Sequence, residues 1–103
     1  MPPSTVDQPS PRVLAVLDVV VQIPAGAVMT YGDVAACAGL GSARFVGRVL
    51  AHFGDGVPWQ RVVMADGSCA AHLVDEQLAF LRHDGTALTG DGRRVDLARA
   101  RLA

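Results

Sequence analysis

Two thiols, three imidazoles, one phenol, one indole, nine guanidinium groups and ten carboxylates are the ionisable or aromatic polar side chains from which chemistry could be built. A cysteine nucleophile needs a neighbouring base to hold it as thiolate. Cys37 and Cys69 have no histidine in a triad-like sequence context. Nor do they have metal-ligand spacing, and His52, His72 and His83 do not assemble with them into a recognisable ligand set, so no metal and no organic cofactor is expected. Cys37 falls on the apolar side of a predicted helix and is expected to be a small buried hydrophobe. The arginines are more telling, because the chain has no lysine and guanidinium suits bidentate phosphate contact and stacking. A net charge of −1 at pH 7 argues against indiscriminate nucleic-acid binding. Between Ser42 and Val63, however, Arg44, Arg48 and Arg61 face a single acid, Asp55.

The elements that must position these groups can be read from caps and periodicity. At 103 residues, half of them hydrophobic, one folded domain is expected. Met1 to Pro11 holds four prolines and neither a basic nor an apolar signal segment, so residues 1–10 are expected to be a disordered arm and 11–103 the domain. No apolar run reaches the length of about eighteen residues that a membrane span needs, so no membrane association and a cytoplasmic location are expected. Ser10-Pro11 opens a helix whose apolar positions Val13, Leu14, Val16, Leu17, Val20 and Val21 run to about Gln22, before Pro24 stops it. Thr30 caps a second helix with Asp33 in a capping-box pattern, and Gly39 ends it. Ser42 caps a third, giving a helix-turn-helix candidate. Gly54-Asp55-Gly56 is a loop, and Arg61 to Met64 is β-like. Ala65 to Ser68 turns it back so that Cys69 to Ala71 pairs as a hairpin. Val74 to His83 is helical with Gly85 closing it, and Val95 to Ala103 forms a short strand or helix.

Five segments in register carry a resemblance. They are Ile23-Pro24-Ala25-Gly26 before Val28, Thr30-Tyr31-Gly32-Asp33-Val34-Ala35, Ala43-Arg44-Phe45-Val46-Gly47, Pro58-Trp59-Gln60-Arg61-Val62, and Glu76-Gln77 followed by Phe80-Leu81 and Gly85. From about Arg12 to Gly85 the chain resembles the DNA-binding domain of O6-alkylguanine-DNA alkyltransferases. In that family the reactive segment reads Pro-Cys-His-Arg-Val, and here Trp59 and Gln60 occupy the cysteine and histidine positions. The chain therefore looks like an alkyltransferase-like protein, a non-catalytic relative. The fold implied is mainly α with a small β-hairpin, a winged-helix-like helix-turn-helix domain of the alkyltransferase C-terminal type.

The resemblance implies a role for each matched residue. Double-stranded DNA carrying O6-alkylguanine would be bound through the minor groove by Thr30, Tyr31, Ser42, Ala43, Arg44, Gly47 and Arg48. Small residues at 43 and 47 permit the helix to approach closely, and Ser42 donates to phosphate. Tyr31 crowds a phosphate and Arg44 fills the space of the rotated base, although composition alone would read them as a half-buried aromatic and a surface arginine. Base flipping costs a few kcal/mol. The flipped base would lie in a pocket of Leu50, Pro58, Trp59 and His72, with His72 at the distance where relatives carry an arginine. A core tryptophan is the alternative for Trp59. Phe45 is bulkier than the alanine common in the enzymes, and either faces the duplex or joins the core. Arg61 is expected to tie its strand to carbonyls or a carboxylate.

By the same analogy a monomer would mark the lesion for nucleotide-excision-repair proteins, nucleoid-associated when on DNA. An alternative of the same binding class is a helix-turn-helix regulator that reads sequence and ignores lesions, but the third helix is too apolar for a major-groove reader. A residual alkyltransferase using Cys37 or Cys69 is a third reading. If three arginines meet phosphates, log K should fall with log salt with a slope of about −2.7, from roughly −0.9 per contact. Titration over a range of salt concentrations checks this. A slope near about −8 would mean that most of the DNA surface lies elsewhere.

Overall fold

The computed structural model describes residues 9–102. Most of the expected arm, residues 1–8, lies outside the described residues, and Ser10 already belongs to the domain as the N-cap of α1 (Pro11–Val21), its Oγ accepting from the Val13 amide. After it come β1 (Met29–Thr30), α2 (Tyr31–Cys37), α3 (Ala43–Phe53), β2 (Val62–Val63), α4 (Val74–Asp84) and α5 (Leu97–Ala100). The first three helices start where their caps predict. Thr30 and Asp33 form a complete capping box at α2, and Ser42 Oγ accepts from Phe45 N at α3. The tail, left open between strand and helix, is the short α5.

The fold is mainly α, as expected, but its two-stranded element is not a hairpin. β1 and β2 pair in parallel, Met29 opposite Val62 and Thr30 opposite Val63. The turn after β2 does form, with Met64 N donating to Ser68 O and Gly67 N to Met64 O. It does not return as a strand, because the N–H of Ala70 is taken by the side-chain oxygen of Gln77. Gly67 instead accepts from Val95 N, and a Cβ at this positive-φ glycine would overlap the Val95 carbonyl. Among the described residues, the antiparallel bridge is the one between Leu88 and Val95.

The short parallel pair divides two cores, because successive strand residues point to opposite faces. Met29 and Val62 join Val16, Val20, Ile23, Val34 and Val46 between α1, α2 and α3. Val28 and Val63 join Leu78, Leu81, Val95 and Ala100 beneath α4 and α5. Each fully buried aliphatic side chain contributes about 1.5–3 kcal/mol.

Polar ties fix the segment that enters β2. Arg61 donates from Nε and Nη2 to the two oxygens of Asp84 at 2.9 Å each, and from Nη1 to the Ile23 carbonyl. This is the expected structural role, and it joins the end of α4 to the turn after α1. The Arg61 hydrogen bonds hold the Asp84 carboxyl below the ordinary carboxylate range, against the opposing effect of burial. A depressed folded-state value means that the stabilisation is complete above the unfolded value and is lost as pH falls through the folded one. Asp84→Asn is therefore expected to lower stability at pH 7, with the gap to the native protein closing below about pH 4. Urea denaturation across that range checks it.

Candidate nucleic-acid interface

The turn that presents Trp59 is built by local hydrogen bonds. Val57 N donates to Gly54 O and Trp59 N to Val57 O, with Pro58 at φ −76° and ψ 64° between them. That is an inverse γ-turn, whose central φ matches the value the proline ring imposes. A single 3-10 turn, Trp59–Arg61, follows. Gly54 closes α3 so tightly that a Cβ there would overlap the Leu50 carbonyl. Trp59 is half-buried, and Phe80 of α4 meets it edge to face, with ring centroids 6.0 Å apart and planes at 81°.

Trp59 lines a cavity of about 290 Å³ together with Tyr31, Gly47, Leu50, Gly54 and His72, and with Asp55, Glu76 and three further residues on its wall. A shallower groove of about 640 Å³ runs along the exposed side of α3, past Ala43, Arg44, Arg48 and Met64. Tyr31, Gly47, Ala51, Ala70 and His72 line both, so the groove opens into the cavity. Arg44 and Arg48 are exposed, and Arg48 lies 5.9 Å from the centre of the Phe45 ring, whose face Arg12 approaches at 4.7 Å. Phe45 itself is half-buried against the first core.

Leu50, Trp59 and His72 are thus brought together at the cavity, and Tyr31, Ala43, Arg44, Gly47 and Arg48 along the groove. Ser42 sits at the start of the same helix as its cap. Two expected site residues have different positions. Thr30 is 5% exposed, and its hydroxyl and amide are engaged with Asp33, so it orients Tyr31 rather than facing a ligand. Pro58 is not on the cavity wall, because its ring is spent setting the turn that aims Trp59. Sequence reasoning missed Phe80, Asp55, Glu76 and Met64. The spacing of Glu76 and Phe80 on one helical face was the available signal for two of them.

Burial acts on two titratable groups near the site. Burial, then the neighbouring Cys69, pushes up the Tyr31 phenol, so it remains a neutral hydrogen-bond donor at physiological pH. Burial pushes up the Cys69 thiol as well. Gln60 donates its amide to Asp84. Cys37, expected to be buried, is exposed. The helix turns its Val34–Ala35 face inward and leaves Cys37 in a separate groove with Val19, Met29 and Leu102. Among the described residues, no group of three His, Cys, Asp or Glu side chains could hold a metal ion.

A helix-turn-helix domain with a cavity behind its second helix is the class defined by this geometry, and comparison with known proteins gives the family. Residues 12–86 match the model described as 6-O-methylguanine DNA methyltransferase, DNA binding domain. The chain belongs to this family. It is 41% identical over 91 residues to the DNA base-flipping protein of Escherichia coli, covering 84% of this chain and 70% of that protein. It is 39% identical over 86 residues to the bifunctional methyltransferase/endonuclease of Picrophilus torridus, covering 79% of this chain but spanning only 28% of that longer protein. Among solved structures, S. pombe Atl1 in complex with damaged DNA containing O6-carboxymethylguanine superposes with a TM-score of 0.77, at 28% identity, over 89% of this chain and 94% of that one. S. pombe ATL in complex with DNA gives 0.75 at 30% identity, over 88% and 94%. Within the family, the alkyltransferase-like proteins are its structural counterparts.

The two thiols are expected to differ sharply in reactivity. A thiol-specific chromogenic reagent should titrate Cys37 promptly in the native protein and Cys69 only on unfolding. Prompt reaction in the Cys37→Ser variant, where just Cys69 remains, would show that the second core opens readily.

Proposed function

We propose that this domain is a non-enzymatic sensor of O6-alkylguanine in duplex DNA. It binds the minor groove with α3, rotates the damaged base out of the stack and holds it against Trp59. The observation that carries this reading is the continuity between the arginine-bearing groove and the aromatic cavity, which share the wall from Tyr31 to His72. A cavity near the lower end of ligand-pocket sizes, which begin at about 300 Å³, suits a single base and a small adduct. The relatives named DNA base-flipping protein and the Atl1 complex with damaged DNA support it.

Each part has a physical task. Ala43 and Gly47 keep the recognition helix slim, and the Ser42 hydroxyl with the α3 N-terminus suits a phosphate. Arg44 enters the space the base vacates, while Tyr31, seated at the start of α2, presses on the backbone beside it. Trp59 and Leu50 then offer apolar contact to the alkyl group, and His72 can exchange a hydrogen bond with the base.

The absence of transfer chemistry follows from the residues in this reading. An indole carries no atom that accepts an alkyl group. The buried Cys69 thiol is held protonated, and Cys37 lies in a separate groove. We further propose, by analogy with the family, that the marked lesion is handed to nucleotide-excision repair.

Two duplexes identical except for one O6-methylguanine test the proposal, with Trp59 emission followed during titration. Tighter binding of the lesion duplex, with quenching as the base stacks nearby, is the expected outcome. Equal affinity for both would leave a DNA-binding domain that reads sequence or shape alone.

A further inference from the structure

The charge on the cavity wall differs from that of the groove outside it. Arg44 and Arg48 line only the groove. The cavity carries two carboxylates, Asp55 and Glu76, with His72 its one basic group. Glu76 lies one helical turn before Phe80 on α4, hence on the face that meets the indole. Asp55 directly follows Gly54, whose carbonyl anchors the turn leading to Trp59. The carboxylates therefore come from both chain segments that frame the indole. Among the described residues the salt bridges are Arg61–Asp84 and Arg101–Asp33, so neither carboxylate is neutralised by an arginine.

We infer that the cavity selects its base adduct by charge, admitting neutral or cationic O6 substituents and disfavouring those that end in a carboxylate. The inference rests on the lesion-sensor reading above and narrows its ligand class. The exocyclic amine of a flipped guanine offers donors that a carboxylate accepts. An anionic substituent instead brings like charge towards Asp55 and Glu76, both exposed on the cavity wall, where salt screens part of the repulsion. O6-Carboxymethylguanine, the adduct in the S. pombe Atl1 complex, is such an anionic substituent and serves as the probe.

Four matched duplexes decide it, carrying guanine, O6-methylguanine, O6-carboxymethylguanine and the uncharged isostere O6-carboxamidomethylguanine. The amide duplex should bind about tenfold more tightly than the acid, as expected for two partly screened unit charges. Glu76→Gln and Asp55→Asn should each move that ratio about threefold towards one. Because the ratio is taken within one protein, any change in the folded fraction cancels. Wild-type protein that binds the acid as tightly as the amide overturns the inference while leaving the sensor reading intact, provided the adducts still beat guanine. If no adduct beats guanine, the sensor reading fails and the charge preference fails with it.

Discussion

The polar side chain of Gln77 is completely buried, and the rest of the domain is arranged around satisfying it. Its oxygen accepts from Ala70 N, and its nitrogen donates to the carbonyls of Gln60 and Val62 at 3.0 and 2.9 Å. Each of those backbone groups would otherwise be an orphan near the core, costing about 1–3 kcal/mol. One amide thus joins α4 to the end of the segment that carries Trp59 and to Ala70 beyond it. The Arg61 fork to Asp84 and Ile23 supplies a second tie at the same place. The segment between Gly54 and Val62 has almost no repetitive structure of its own, so these side chains do for it what a sheet ladder does elsewhere.

With that segment fixed, the two-residue parallel pair sets the width of the cavity. Thr30 is at once the end of β1 and the cap of α2, so the next residue, Tyr31, leaves the strand in a defined direction. Val62 begins β2 directly after the 3-10 turn that presents Trp59. The register of Met29 with Val62 and Thr30 with Val63 therefore places phenol and indole on walls of one space. The same pair feeds one core from each face, so the site lies where the two hydrophobic clusters meet the surface.

The sequence made the helical part legible because caps and stops are local. Ser10, Thr30 with Asp33, and Ser42 each announce a helix through hydrogen bonds spanning three residues. The motif at Pro58 to Val62 singled out Trp59, while the proline's part in the turn was visible only once its ψ was known. What failed was long-range. The hairpin after Val63 has the right turn residues, but its return strand loses its amide to Gln77, and nothing near Ala70 in the sequence reports that competition. Cys37 was misplaced because a seven-residue helix has too few turns to fix its apolar face by periodicity. Asp55 and Glu76 lie 21 positions apart in the sequence, and the loop and α4 bring them to one wall.

The residues beyond 86, outside the family match, are stitched into the centre of the domain. Val28 donates to Ala100 O and accepts from Leu102 N, while Arg101 forks onto the two oxygens of Asp33 in the capping box. These contacts join positions separated by most of the chain, which raises contact order and delays closure until late in folding. During synthesis, the helix-turn-helix portion emerges well before the strand edge at Val28 can be covered. The second hydrophobic cluster, which needs Val95 and Ala100, must therefore wait until those residues have left the ribosome.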